Sequence, residues 1–493
     1  MSDNSSGSNL GRSAAGGALV TLGSQGLRIG LQFISIVTLA RILTPEQFGL
    51  VAMVTAIIGI AEVFRDFGLS MAAVQAPTLT RGQRDNLFWV NTLIGLVLTG
   101  VTAALAPAIA LLYGEPDLVP ITQALSITFF LNGLSTQYRA DLTRRLQFLK
   151  LNAAEIAGQG VGLAAGIAVG LLGWGFWALV VQQVTQAAVA AAFLVSVARW
   201  IPGLYTRNES IRSFFGYGMN LLGVYALAYG AKNLSGVIIG ANLGAAQLGA
   251  YNRAYQLLTL PLAQLNAPST RVALPVLSRV QSEPTRFDAF LIRGQSMLLH
   301  AVLLVFSLSA ALASPLVEIV LGPQWGSVVP IFQILAIAGV AESAAYAAYW
   351  VFLARGLTRQ HLYYAMVMRP LQIGLVVAGA PFGLYGVVWG YTIGLVIAWP
   401  ASLIYLRILR AAPVGRMARS VGAITLAYVA AAAATYGVWT LTTGLSVWAQ
   451  AAIGIGTMAL SMLLVCAIWP HFRADVLSIV GLVKRAIVGK FKR

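Results

Sequence analysis

Fourteen predominantly apolar stretches, each about 20 residues or more, divide the chain, at about 14–40, 48–72, 87–112, 119–138, 152–172, 175–198, 214–240, 247–270, 294–317, 328–354, 362–380, 384–406, 420–440 and 446–469. Each is long enough to carry a helix across a hydrocarbon layer about 30 Å thick. Only 10% of the 493 residues are charged, where a soluble domain carries roughly a quarter. Water therefore cannot solvate most of this surface, and the expected fold is an all-α polytopic membrane protein with about fourteen transmembrane helices. No length remains for a large soluble domain.

Charge orients these helices. Arg81 and Arg84, Arg139 to Lys150, Arg199 to Arg212, Arg271 to Arg293, Arg355 and Arg359, and Arg407 to Arg419 all fall in alternate connections, and further cations sit at the two ends. The opposite connections hold Arg41 with the acids Glu46, Glu115, Asp117 and Glu318. Basic connections stay in the cytoplasm, so both termini are expected there. The net charge of +17 is accounted for by those loops, and nucleic acid is not an expected partner. Residues 1–12 read as a disordered cytoplasmic tail. Residues 471–493 interleave Val476, Val480, Val483, Ile487 and Phe491 with Lys484, Arg485, Lys490 and Lys492, the pattern of a basic amphipathic segment on anionic membrane lipid, with a soluble basic tail as the plainer reading.

Single residues exclude other chemistry. One cysteine, Cys466, and three histidines support neither a disulfide framework nor a Cys/His zinc site. His300 and Cys466, each alone in an apolar stretch, read as core or lipid-facing. The fingerprint-like Gly160-x-Gly162-x-x-Ala165 lies inside a span, and Asn208-x-Ser210 lies on the cytoplasmic side, so neither a dinucleotide site nor a glycosylation site is expected. Gly158, Gly162, Gly166 and Gly170 recur every four residues and present a face for close helix approach.

The chain also repeats itself. A shift of 200 residues pairs Leu43, Gln47 and Gly49 with Leu243, Gln247 and Gly249. Pro107 and Gly114 pair with Pro315 and Gly322, and Pro120, Gln123 and Leu125 with Pro330, Gln333 and Leu335, at slightly larger shifts. Six spans make one unit, so two pseudo-symmetric six-helix lobes are expected at 13–198 and 199–406, related by an axis along the membrane normal with a pathway between them. Two further helices occupy 407–470.

Charges inside the spans say what such a pathway would hold. Arg28, Arg65, Lys232, Arg253, Arg369, Glu62, Asp66, Glu155 and Glu342 all fall there. Facing lipid at about 3 kcal/mol each they would cost roughly 27 kcal/mol, more than the stability of a typical domain, so they face protein or water. Thr21, Gln25, Arg28, Gln32 and Ser35 draw one polar stripe along the first span, and Asn252, Gln256, Thr259, Asn266 and Thr270 do the same in the eighth. Interhelical hydrogen bonding explains the Ser, Thr and Asn positions on its own. Arg28, Lys232 and Arg253 lack an obvious acid on their own helical face, which favours a wet cationic cavity, with Gln25, Gln32, Asn252 and Gln256 beside them. Arg65 fits either that cavity or an ion pair with Asp66. Arg369 and Glu155 read as structural. Glu62, Asp66 and Glu342 fit a coupling site for H+ or Na+ and, equally, pairing with neighbouring cations.

The pattern resembles the Wzx-type flippases of the polysaccharide-transporter branch of the multidrug/oligosaccharidyl-lipid/polysaccharide superfamily. The resemblance rests on the run from Ala40 to Leu50, Asp66-Phe67-Gly68-Leu69 with Gln75, Gly175 to Val180, Tyr251-Asn252-Arg253-Ala254, Pro261, Pro275 and Gln281. It implies alternating access by two six-helix lobes in a bacterial inner membrane. The implied substrate is an undecaprenyl-pyrophosphate-linked oligosaccharide, moved from the cytoplasmic to the periplasmic leaflet for exopolysaccharide, capsule or O-antigen export. It also implies polysaccharide polymerase machinery as a partner and a cavity lined by arginines on helices 1, 2 and 8, the helices that hold Arg28, Arg65 and Arg253. No cofactor and no enzymatic step are implied. A multidrug or cation extruder of the same superfamily is the nearest alternative, and it predicts acids dominating the cavity. A membrane enzyme that polymerises or ligates exported sugars would need a large external loop, and none is visible in the pattern.

Overall fold

The structure is a computed structural model. It describes residues 4–66, 69–76, 78–207, 209, 211–212, 233–470, 472–478 and 481, with the side chains of 4–22, 63–64, 66 and 71–72 left aside. Lys232, most of the seventh apolar stretch and the basic end of the C-terminal segment lie outside the described residues. Among the described residues every regular element is helical.

Contacts divide the chain into two compact units, Met1–Gly249 and Ala250–Arg493. The first holds α1 (Asn4–Ile42), α2 (Pro45–Asp66), the short α3 (Leu69–Gln75), α4 (Arg81–Tyr113), α5 (Leu118–Arg144), α6 (Phe148–Leu171), α7 (Trp177–Val197) and α8 (Asn233–Leu243), and it ends inside α9 (Ala245–Arg279). α1 starts at Asn4, so its backbone is helical through the residues read as a tail. The described residues of the apolar stretch expected at 48–72 are helical, in α2 and α3.

Local chemistry sets the boundaries. Thr44 and Gln47 form a reciprocal cap at the start of α2, Gln47 N–H donating to Thr44 Oγ1 at 3.3 Å and Thr44 N–H donating to Gln47 Oε1 at 3.1 Å, with Pro45 at the first helical position. Thr80 and Gln83 cap α4 in the same way, and Gly114 ends it at φ 70°, a left-handed conformation that glycine adopts without a Cβ penalty.

Pairs of antiparallel helices build this unit, α4 with α5 and α6 with α7, while α5 also packs on α2 and α7, and α1 on α6. Glycines set the spacing. A Cβ on Gly158 or Gly162 would lie 2.7 Å from the carbonyl oxygen of Gln186 or Gln182 on α7, and one on Gly166 would lie 2.9 Å from that of Ala178. The four-residue glycine repeat therefore acts as the sequence suggests, bringing two backbones together.

The second unit holds α10 (Pro284–Ala311), α11 (Ala313–Val320), α12 (Val328–Ala354), α13 (Thr358–Gly379), α14 (Gly383–Ile408), α15 (Val414–Leu441) and α16 (Val447–Ile468), with the remainder of α9. α14 packs on α12 and α13, and α10 on α12 and α15. His300 on α10 is buried, with Nδ1 3.3 Å from the Tyr428 hydroxyl and its ring 4.8 Å from that of Phe472. It is a core residue, and Cys466 packs at the edge of the same cluster.

Ten helical stretches among the described residues are long and apolar enough to cross a membrane, and one of them, Thr358–Ile408, contains both α13 and α14. The 39-residue α1 and 35-residue α9 are not among them. These two carry the polar stripes, and α9 also contains Pro261, Pro268 and Pro275. A helix with such a face needs protein or water along it even where its length suffices to span.

Candidate functional site

In the first unit charges within the helices converge on the face of α5 that carries Asn132, Thr136 and Arg139 at helical spacing. Arg28 of α1 forms an ion pair with Glu155 of α6. The same carboxylate accepts from Arg139 Nη1 at 2.8 Å. One acid thus holds two guanidinium groups from different helices. The side chains of Arg28, Glu155 and Arg139 are 42%, 24% and 34% exposed, so the group is neither dry nor fully solvated.

One turn back along α5 lies a second pair. Arg65 Nε donates to Glu62 Oε1 at 2.8 Å within α2, and Arg65 Nη1 donates to Thr136 Oγ1. Asn132 Nδ2 donates to the same Glu62 oxygen at 3.2 Å. Arg65 is therefore paired with Glu62, three residues before it. The side chain of Asp66, the partner considered from sequence, lies outside the described residues. Among the described side chains of the two pairs, three arginines face two carboxylates in a partly exposed group.

The rest of the α1 stripe divides by depth. Ser35 accepts from Gln182 Nε2 at 2.8 Å, and the Arg28 carbonyl accepts from Gln159 Nε2 at 3.3 Å, so this part joins helices. Gln25 is exposed and Gln32 half-buried. α9 shows the same division inside the second unit. Asn266 is buried and accepts from Ser343, and Thr270 accepts from Trp350 Nε1 at 2.9 Å, both interhelical bonds to α12. Asn252, Arg253 and Gln256 are half-buried, with Arg253 Nη1 donating to Gln256 Oε1 at 2.5 Å. Glu342, near the middle of α12, is half-buried.

Sequence reasoning placed Arg139 in a cytoplasmic connection and Glu155 among structural residues. The structure extends α5 to Arg144 and brings Arg139 and Arg28 together onto Glu155. The missed signal is the spacing of Asn132, Thr136 and Arg139, four and then three residues apart on one helix face.

Arginines held by too few carboxylates can bind a phosphate group through charge-assisted, bidentate hydrogen bonds. Comparison with known proteins bears on what such a group serves. The profile of the family described as "Polysaccharide biosynthesis protein" matches residues 38–330, more than half of the chain. The lipopolysaccharide biosynthesis protein WzxC of Escherichia coli (strain K12) is 27% identical over 326 residues, 64% of either chain, so the match spans just under two thirds of that relative. The teichuronic acid biosynthesis protein TuaB of Bacillus subtilis (strain 168) is 28% identical over 68% of this chain and 70% of its own. The succinoglycan biosynthesis transport protein ExoT of Rhizobium meliloti (strain 1021) is 25% identical over 62% of each.

Among solved structures, the lipid II flippase MurJ in an inward closed conformation superposes with a TM-score of 0.67 at 14% identity, over 90% of this chain and 98% of its own. An inward-facing multidrug resistance MATE family transporter gives 0.61 at 13% identity, over 79% and 95%. At those identities the likeness is one of fold. With the family profile matched over more than half of the chain, through most of the first unit and into the start of the second, the chain belongs to the polysaccharide biosynthesis protein family, within the fold shared by lipid flippases and multidrug transporters.

Proposed function

We propose that this protein moves a lipid-linked oligosaccharide from the cytoplasmic to the periplasmic leaflet of a bacterial inner membrane, with undecaprenyl pyrophosphate as the lipid carrier. The observation that carries this reading is the sharing of Glu155 by Arg28 and Arg139. A pyrophosphate is a polyanion that must cross hydrocarbon. Fixed guanidinium groups, already oriented by one carboxylate and still reached by solvent, offer it partners there. Arg28, Arg139 and Arg65 are assigned to the phosphate, with Gln25 and Gln32 beside them, and Lys232, Asn252, Arg253 and Gln256 to the same substrate from the second sequence repeat. No covalent step is needed, only a difference in exposure between two states.

The helix inventory supports fourteen crossings when α13 and α14 are counted separately and α1, α9 and the stretch ending in α8 are added. An even count leaves both termini on the side of the basic connections, the cytoplasm. Glu62, Asp66 and Glu342 are the candidates for coupling to H+ or Na+. An extruder of cations would place acids in the majority, whereas the described cluster of the first unit holds more arginines than carboxylates.

The test is reconstitution into liposomes, with leaflet exchange of an undecaprenyl-pyrophosphate-linked oligosaccharide followed for wild type, Arg28→Ala, Arg139→Ala and Arg253→Ala. Loss of at least about tenfold in rate for each arginine variant is expected, equivalent to about 1.4 kcal/mol of lost interaction. Wild-type rates in all three would remove the phosphate assignment. Preferential movement of organic cations would favour the extruder.

A further inference from the structure

The second unit carries a surface for which phosphate binding has no use. On α9, α12, α13 and α14, half-buried tyrosines and a histidine lie edge to edge. Tyr255 and Tyr391 meet edge to face at 5.9 Å between ring centroids. Tyr346 and Tyr349 are 5.6 Å apart, Tyr349 and His361 5.4 Å, and His361 stacks on Tyr364 at 6.3 Å. Fully buried rings back this layer: Tyr251 stacks behind Tyr255 at 5.7 Å, and Phe352 lies 5.2 Å from His361. Two charged groups tie the parts together. Glu342 lies within electrostatic reach of Tyr255, Tyr346 and Tyr391, and Arg369 within reach of Tyr255, Tyr364 and His361. Arg369 is exposed and donates to Gln372 at 3.2 Å.

An interfacial aromatic belt would account for tyrosines near helix ends. It does not account for Glu342, near the middle of the 27-residue α12, or Arg369, near the middle of the 22-residue α13. Both stand at the depth where lipid contact is most costly. Nor is this a packed aromatic core, since the outer rings are half-buried and carry hydroxyls. What the surface offers is a row of flat apolar faces rimmed by phenol, imidazole, carboxylate and guanidinium groups. From Glu342 to Tyr349 on α12 it extends about 10 Å at 1.5 Å per residue.

A sugar ring has the complementary chemistry. One of its faces presents C–H groups that pack on an aromatic ring, and its rim presents hydroxyls that donate to a carboxylate and accept from a guanidinium or a phenol. We propose that Tyr255, Tyr346, Tyr349, Tyr391, Glu342 and Arg369 bind the sugar portion of the transported lipid, so that the second unit recognises carbohydrate. This rests on the reading of the protein as a lipid-linked oligosaccharide flippase, and it adds a site for the uncharged part of that substrate.

The experiment measures equilibrium binding of two probes to the detergent-purified full chain: undecaprenyl diphosphate, and the same lipid carrying a single glucose. Wild type is expected to bind the glucosylated lipid at least fivefold more tightly. Tyr255→Ala and Tyr349→Ala should abolish that preference and leave affinity for the bare diphosphate unchanged, whereas Arg28→Ala should weaken both probes together. Equal wild-type affinity for the two lipids overturns the proposal, as does an equal loss for both in the tyrosine variants. If Arg28→Ala changes neither while the sugar preference persists, the phosphate assignment fails and the sugar site stands. The double variant Tyr346→Phe with Tyr391→Phe keeps every ring and removes two hydroxyls, which guards against misfolding of the alanine variants. It should lower the preference at least threefold, and an unchanged ratio overturns the proposal.

Discussion

Gly49 and Gly249 occupy equivalent places in one helix contact. A Cβ on Gly49 would lie 1.7 Å from the carbonyl oxygen of Ala245, and one on Gly249 would lie 1.8 Å from that of Pro45. Pro45 and Gly49 are separated from Ala245 and Gly249 by 200 residues, the shift at which the two halves of the sequence align. The starts of α2 and α9 therefore meet reciprocally, Gly49 against the backbone of Ala245 and Gly249 against that of Pro45.

Such a contact predicts how substitutions combine. Gly49→Ala and Gly249→Ala each force two backbones apart and are expected to cost about 2 kcal/mol or more. Once the first has opened the crossing, the second meets less resistance, so the double variant should cost clearly less than the sum. Thermal unfolding of the purified protein measures this. Two independent, additive losses would show that the glycines serve separate contacts.

A second prediction concerns Asp141 on α5. Its side chain is 7% exposed and holds Arg84 at 3.1 Å and Arg145 at 3.0 Å, while the Arg84 guanidinium lies 4.3 Å over the Trp200 ring. Asp141→Ala leaves two guanidinium groups without their carboxylate and is expected to cost about 3 kcal/mol. Arg145→Ala keeps the more buried pair and should cost under about 1 kcal/mol. Thermal unfolding followed by tryptophan fluorescence distinguishes them, and similar losses in the two variants would refute the assignment.

The segment after α7 supplies a third. Fully buried Asn86 donates to the carbonyls of Thr206 and Glu209 at 2.8 and 2.9 Å and accepts from Thr206 N–H at 2.8 Å. Trp89 Nε1 donates to the Gly203 carbonyl at 2.8 Å. One side chain thus satisfies three backbone groups, each worth about 1 kcal/mol. Asn86→Ala is expected to raise tryptic cleavage after Arg207 at least about tenfold by freeing that segment to open. An unchanged cleavage rate would place the restraint elsewhere.

Hydropathy alone determined that this chain is helical, that it belongs in a membrane and roughly where most of its helices run, because a backbone in hydrocarbon must satisfy its own hydrogen bonds. Periodicity within one helix likewise exposed the polar stripes of α1 and α9, the glycine face of α6 and the repeat that pairs Gly49 with Gly249. Tertiary structure decided which charge meets which. Arg28 finds Glu155 127 residues away, and Glu155 also takes Arg139 from a third helix, so no spacing along a single helix reports the pairing. The tyrosine surface was hidden for the same reason: its rings come from four helices, each carrying only one or two of them. Sequence period fixes the direction of a side chain around its own axis, whereas the groups that face it are set by how helices pack, and packing is decided by the summed fit of many side chains.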